Sequence, residues 1–225
     1  PSLIKAGIKP HIVVHVDAKP DERLVKFLIK NMTYEIPLFI MSSNLPRHFN
    51  DIPAEKTVWS ELSGPLHKEL CQILHAPFPH LSGGNVSLYA FNLCAAWGLK
   101  NIVLVGQDLS YDGNKYYADS EGLETAIEVK QTVKTSRNEV DGYYGKKVIT
   151  SADFLLFIEE FKNWLRTDLH ADIRHINCTE GGALIEGFEQ FPLSELIKIM
   201  PKNSGKLELH LNFNNEKKLF YKKIY

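Results

Sequence analysis

Four short polar groups in this chain have the residue types that chemistry needs. They are Asp17, Ser42-Ser43-Asn44, Gln107-Asp108, and Asn177 through Glu180. Each follows a segment that reads as a strand: His11–Val16, Ile36–Met41, Ile102–Val105 and Asp172–Asn177, the second and third apolar enough to be buried. If those strands are parallel, all four groups meet at one sheet edge, where ligands bind in open α/β sheets. Two glycine pairs, Gly83-Gly84 and Gly181-Gly182, let backbone N–H groups approach a ligand closely. The first pair, continued by Asn85, opens onto a helix whose positive end favours an anion. This set of groups suits a phosphate-bearing ligand, foremost a nucleotide. A carboxylate there could bind ribose hydroxyls, hold Mg²⁺ or take a proton.

The elements that must position these groups alternate along the chain. Leu3 to Gly7 reads as a helix end, with Gly7 as its stop. Pro20-Asp21-Glu22 begins a helix to about Asn31, the proline and acids suiting a helix N-terminus. Lys56–Trp59 is a short strand and Leu66–Leu74 a helix. Val86, Tyr89, Ala90, Leu93, Cys94 and Trp97 recur at helical spacing, and Gly98 ends that helix. Tyr111 to Asp141 reads as an extended, partly exposed insertion. Gly142-Tyr143-Tyr144-Gly145 turns into a strand, Lys147–Thr150. Ser151 and Asp153 offer an N-cap to an amphipathic helix with Phe154, Leu155, Phe157, Ile158, Phe161, Trp164 and Leu165 on its apolar face. A last helix covers Leu193–Met200. This alternation predicts an α/β, Rossmann-like fold: a mostly parallel sheet with helices on both faces.

Composition narrows the function classes. The chain has 225 residues, 44% of them hydrophobic, enough for one large domain with a full core. Its formal net charge of -1 gives no whole-chain field for nucleic acid or anionic lipid. Cys71, Cys94 and Cys178 are far apart, which argues against a disulfide framework or zinc cluster and fits a reducing, cytoplasmic setting. No apolar run approaches the roughly 20 residues of a membrane span. There is no P-loop, GxGxxG, HExxH or GxSxG motif. Other features have plainer readings. Asp17 could cap the next helix, and Thr179 could cap a turn. His11 and His15 could bind a metal, but a packed or surface role suits them better. His175 reads as structural or exposed. Tyr111, Tyr116 and Tyr117 could stack on a base or simply pack their own loop. Lys217-Lys218 and Lys222-Lys223 read as solvated.

Three stretches in order resemble the motility accessory factor (Maf) family. They are GGNVSLYAFNLCAAWGLKNIVLVGQDLSYDG, VDGYYGKKVITSADFLLFIEEFKNWL and INCTEGGALIEGFEQFPLSEL, with LIKAGIKPHIVVHVDA at the start. The most specific pieces are GQDLSYDG and NCTEGGALIEG, and the resemblance covers most of Leu3 to Ile199. It implies a sialyltransferase-like fold and transfer of a nonulosonic acid, pseudaminic or legionaminic in type, from a CMP-sugar to protein Ser/Thr such as flagellin. Asp108 and Glu180 are then the catalytic candidates. Asp17, Asn44, Gly83, Gly84, Asn85, Gln107, Thr179, Gly181 and Gly182 are the nucleotide- and sugar-binding candidates. No metal ligand or cofactor is assigned; the expected partners are the nucleotide-activated sugar and flagellin.

The family's domain is also similar to an archaeal 6-hydroxymethylpterin pyrophosphokinase, which implies as an alternative Mg²⁺-dependent phosphoryl transfer from ATP. A further alternative is a non-catalytic flagellin-interaction module. Two departures stand out. A GxGPSL turn expected upstream of Leu3 is absent, so residues 1–200 read as a domain lacking its first strand and glycine-rich turn, with 201–225 as a tail or the start of another domain. A Thr-His pair common after GQDLSYDG is replaced by Asn114-Lys115-Tyr116-Tyr117-Ala118.

Overall fold

The computed structural model describes residues 2–16, 22–33, 38–41, 51–53, 56–59, 85–111 and 138–200. The helix expected at Leu66–Leu74, most of the Tyr111–Asp141 insertion and the 201–225 tail lie outside them. So do Asp17, Ser42, Asn44, Gly83 and Gly84.

Helix α1 (Ser2–Lys5) is followed by strand β1 (Val13–His15), helix α2 (Glu22–Asn31), β2 (Leu38–Met41) and β3 (Lys56–Trp59). Helix α3 spans Val86–Ala96 and β4 spans Asn101–Leu104. Strands β5 (Asn138–Asp141) and β6 (Lys147–Thr150) form a hairpin, and α4 (Ala152–Leu165) follows. A 3-10 turn (Asp168–His170), β7 (Arg174–Asn177), β8 (Glu189–Gln190) and α5 (Leu193–Ile199) complete the order. Strands β1, β2 and β3 are parallel neighbours, with Val13 beside Leu38 and Leu38 beside Lys56. Strand β7 lies between β4 and β8, parallel to both, with Ile102 beside His175 and Ile176 beside Glu189. The α/β, mostly parallel architecture expected from the sequence is therefore present, and the short β8 is an addition to it.

Pleating sorts the β4–β7 pair onto two faces. Ile102 and Leu104 face a core of Leu88, Phe91, Ala95, Ile158, Phe161, Ile185 and Phe188, contributed largely by α3 and α4. Val103, Ile176 and Cys178 pack instead with Leu196 of α5 and with Phe191 and Leu193. Helices thus cover both faces, and each pair of neighbours in register shares one.

Helix α3 departs from its expected stripe. Val86, placed on the apolar face by spacing, is 38% exposed, while Leu88, Phe91 and Asn92 are buried. The reason is that α3 is enclosed on two sides. Leu88, Phe91 and Ala95 join the α4 core, and Tyr89 and Leu93 pack with Ile12, Val14 and Val16 around β1. A helix buried on two sides needs apolar residues nearly all round, so a single stripe does not define it. Gly98 ends it as expected, at φ +77 with its N–H donated to the Ala95 carbonyl. In α4, Ile158 and Phe161 are buried as expected, and the Ser151 hydroxyl caps the helix by accepting from the Phe154 N–H at 3.2 Å.

A second polar feature lies inside this core. His170 Nδ1 is 3.0 Å from His175 Nε2, and His170 Nε2 is 3.0 Å from Asn92 Oδ1. With the amide oxygen accepting, neutral His170 carries its proton on Nε2 and receives one from His175. Phe91 stacks on His170 with centroids 4.2 Å apart, and Phe188 and Trp164 meet the pair edge-on. Burial, and then the neighbouring His175, push His170 down to about 4; burial also lowers His175. His175 is therefore structural. Of the histidines read as a possible metal pair, His15 is buried and His11 exposed. Among the described residues no group of three His, Cys, Asp or Glu is arranged to hold a metal.

Candidate functional site

The loop after β4 and the loop after β7 are tied together at the C-terminal ends of the two strands. The Cys178 N–H donates to the Leu104 carbonyl at 2.8 Å, carrying the parallel ladder one step past β7. The Gln107 N–H then donates to the Thr179 hydroxyl at 3.0 Å. The Ala183 N–H donates to the Asp108 carbonyl at 2.7 Å. Thr179 is thus not only a local turn residue. Its N–H is held by Asn177 Oδ1 at 3.0 Å while its hydroxyl locks the opposite loop.

Glycine is required at Gly182. It sits at φ +72, and a Cβ there would overlap the Asp108 backbone. At Gly181 a Cβ would lie 3.9 Å from Asp108 Oδ1, so the carboxylate rests directly beside that glycine. Asp108 itself is exposed. Leu109, at φ 47, and Gly106, at φ 70, give the β4 loop its sharp course. Five of the sequence candidates, Gln107, Asp108, Thr179, Gly181 and Gly182, are thereby brought together at one strand-end edge.

Glu180, expected as a catalytic group, has a structural contact in this fold. It adopts φ 58, and its Oε1 accepts from the Leu193 N–H at 2.9 Å. Leu193 is the first residue of α5, whose N-cap Pro192 offers no side-chain acceptor. The carboxylate therefore caps α5 and meets the positive end of its dipole. Asn85 is likewise a cap: its Oδ1 accepts from the Leu88 N–H at 2.9 Å at the start of α3. Its buried Nδ2 has no partner among the described residues. Because α3 leads directly into β4 and runs back along it, the N-terminus of α3 belongs to the edge at which β4 ends.

Sequence reasoning missed the contribution of the β5–β6 hairpin. Its turn is packed down onto the glycine loop. The Tyr143 N–H donates to the Gly182 carbonyl at 2.9 Å, and Gly142 bridges Ala183. The Tyr143 hydroxyl donates to the Asn177 carbonyl at 3.1 Å. Burial, with added pressure from Cys178, Tyr144 and Glu180, raises the Tyr143 phenol, so it stays a donor across the physiological range. Burial likewise raises the Cys178 thiol, which keeps it protonated. Asn177, fully buried, also has an Nδ2 without a partner among the described residues. The available signal was the glycine spacing in DGYYG, which permits close backbone approach at both ends of the tyrosine pair. Tyr111, read as a base-stacking candidate, is buried instead, bridging Ile149 and packing on Phe154 at 5.5 Å.

Among the described residues no helix is long and apolar enough to cross a membrane. A search of curated proteins finds no match. Among solved structures the chain is similar to a Maf glycosyltransferase from Magnetospirillum magneticum AMB-1, with a TM-score of 0.61 and 15% identity. That likeness covers 84% of this chain but only 28% of the other, and it establishes a shared, glycosyltransferase-like fold. The family profile described as 6-hydroxymethylpterin diphosphokinase MptE-like matches residues 1–114, about half of the 225. This stretch includes α3, β4 and the Gln107-Asp108 loop, and by it the chain belongs to the MptE-like family.

Proposed function

We propose that this chain is the donor-binding core of a glycosyltransferase that moves a nonulosonic acid from a CMP-sugar to a protein hydroxyl, with flagellin Ser/Thr as the acceptor class. The observation that carries this reading is the exposed Asp108 carboxylate beside the Gly181-Gly182 turn, with the two loops hydrogen-bonded to each other. Backbone N–H groups in a glycine turn suit phosphate oxygens, and the α3 N-terminus adds a further positive end. Asp17, Asn44, Gly83 and Gly84 complete the proposed donor site. Departure of CMP leaves positive charge on the sugar's anomeric carbon, and a fixed carboxylate can stabilise that charge or accept the proton of the incoming hydroxyl. Asp108 is assigned that role. Glu180 is assigned to holding α5 and the loop in place.

A second reading is Mg²⁺-dependent phosphoryl transfer to a pterin, favoured by the description of the family matched over residues 1–114. The glycosyltransferase reading ranks first because the likeness to the Maf glycosyltransferase spans 84% of the chain, which no match confined to 1–114 can do. Thermal melting of the full-length protein separates the two. A ligand at 100 times its Kd stabilises the native state by about 2.7 kcal/mol. CMP is expected to raise the midpoint more than ATP with Mg²⁺. A larger shift with ATP and Mg²⁺ would favour the kinase, and no shift with either would favour a non-catalytic module.

A further inference from the structure

Tyr144 stands out beside the proposed donor site because the turn that carries it is hydrogen-bonded in place while its ring is exposed. It is 71% exposed, next to Tyr143, which is only 8% exposed. Tight turns favour Gly, Pro, Asn, Asp and Ser, and this one instead carries Tyr143-Tyr144 between Gly142 and Gly145. The turn that carries it cannot drift. Gly142 donates to the Lys146 carbonyl at 2.8 Å, and Gly145, at φ +82, donates back to Gly142 at 2.9 Å. Lys147 pairs with Asp141 at 2.7 Å across the base of the turn. At Gly142 a Cβ would lie 2.9 Å from Val148 Cγ1 and 3.3 Å from the Gly182 carbonyl, so the turn rests on the glycine loop itself. Tyr143 then anchors the turn to Gly182 and Asn177, and the two tyrosine rings meet at 74° with centroids 4.9 Å apart. The result is an exposed aromatic ring on a tied-down turn, one residue from the backbone that touches the Gly181-Gly182 turn.

Resting on the donor-site reading above, we propose that Tyr144 is the stacking platform for the nucleobase of the bound nucleotide, with the 181–182 turn holding its phosphate. A nucleotide joins a planar base to a phosphate through a single ribose, and the hairpin carries this ring on the residue next to the Tyr143 N–H that bonds the Gly182 carbonyl. Stacking needs the ring and not the hydroxyl, because every base has a π-face. Rigid aromatic contacts also cost little conformational entropy on binding.

The test is calorimetric titration of CMP into the full-length wild-type protein and into Tyr144→Ala and Tyr144→Phe. Tyr144→Ala is expected to weaken CMP binding about tenfold or more, and Tyr144→Phe to bind like wild type, with all three melting at the same temperature. Equal affinity of Tyr144→Ala and wild type would overturn the platform while leaving the donor site standing. Loss in Tyr144→Phe as large as in Tyr144→Ala would overturn stacking in favour of the hydroxyl. If wild type binds no CMP, the donor-site reading fails and the platform fails with it.

Discussion

Two clusters in this protein place polar groups where the surroundings are apolar, and they differ in what closes them. The Asn92–His170–His175 chain is sealed by Phe91, Phe161, Phe188 and Trp164, and each histidine finds its partner within the cluster. The edge formed by Gln107–Leu109, Asn177–Ala183 and the Tyr143-Tyr144 turn opens to solvent at Asp108, Glu180 and Tyr144. Its hydrogen bonds fix backbone, and they leave a carboxylate and a ring facing outwards. A buried polar network contributes to the specificity of the core, here with Asn92 Nδ2 left without a partner among the described residues, whereas an open one on strand ends is what a ligand requires.

The largest effect expected from this contrast is on activity. Asp108→Ala should lower transfer by roughly 10²- to 10⁴-fold with an unchanged melting temperature, as measured by turnover and by melting. Wild-type turnover in that variant would remove Asp108 from the chemistry. Gly182→Ala should be next, costing about 3 kcal/mol or more, since it adds strain at φ +72 to a collision with the Asp108 backbone. Denaturant unfolding would measure it, and a loss under about 1 kcal/mol would show that the loops are not locked as described.

The sealed cluster predicts a pH effect of known sign. His170 takes up its proton near 6.5 in the unfolded chain but only near 4 in the fold. Between those values the unfolded state binds more protons, so stability is fully present above pH 6.5 and is lost as pH falls toward 4. Integrated over that window the loss is about 3 kcal/mol, and the lowered His175 adds in the same direction. Chemical denaturation at pH 7 and pH 4.5 tests this, and His170→Gln should flatten the dependence. Smaller still, Ser151→Ala should cost about 1 kcal/mol through the lost α4 cap. The smallest is Arg174→Gln. Its three hydrogen bonds to Glu189 are exposed, and removing them should leave the midpoint unmoved within error.

The strand and helix pattern was legible because it is local. Ile102–Leu104 is β-branched and apolar, Ser151 precedes a clear amphipathic run, and Gly7 and Gly98 mark helix ends at positive φ. The meeting of Gln107-Asp108 with Thr179–Gly182 was legible through a simple rule: polar residues directly after such strands gather where parallel strands end. What could not be read was pairing at long range. That Thr179 would lock Gln107, 72 residues away, or that Glu180 would accept from the first N–H of α5, depends on which loops meet. The stripe on α3 failed for the same reason, since nothing in its own sequence says that β1 would cover a second side. The two-residue β8 carries no pattern long enough to detect.

The contact between Gly182 and the Asp108 backbone has a kinetic consequence. Residues so far apart in sequence meet only after β4, β7 and the hairpin have been brought together, so the loop-closure entropy is met first and the contact is gained last. The candidate edge is therefore among the parts of the chain assembled late. A chain still folding, or locally opened at this edge, has neither the Asp108 loop nor the Gly181-Gly182 turn in the arrangement described above.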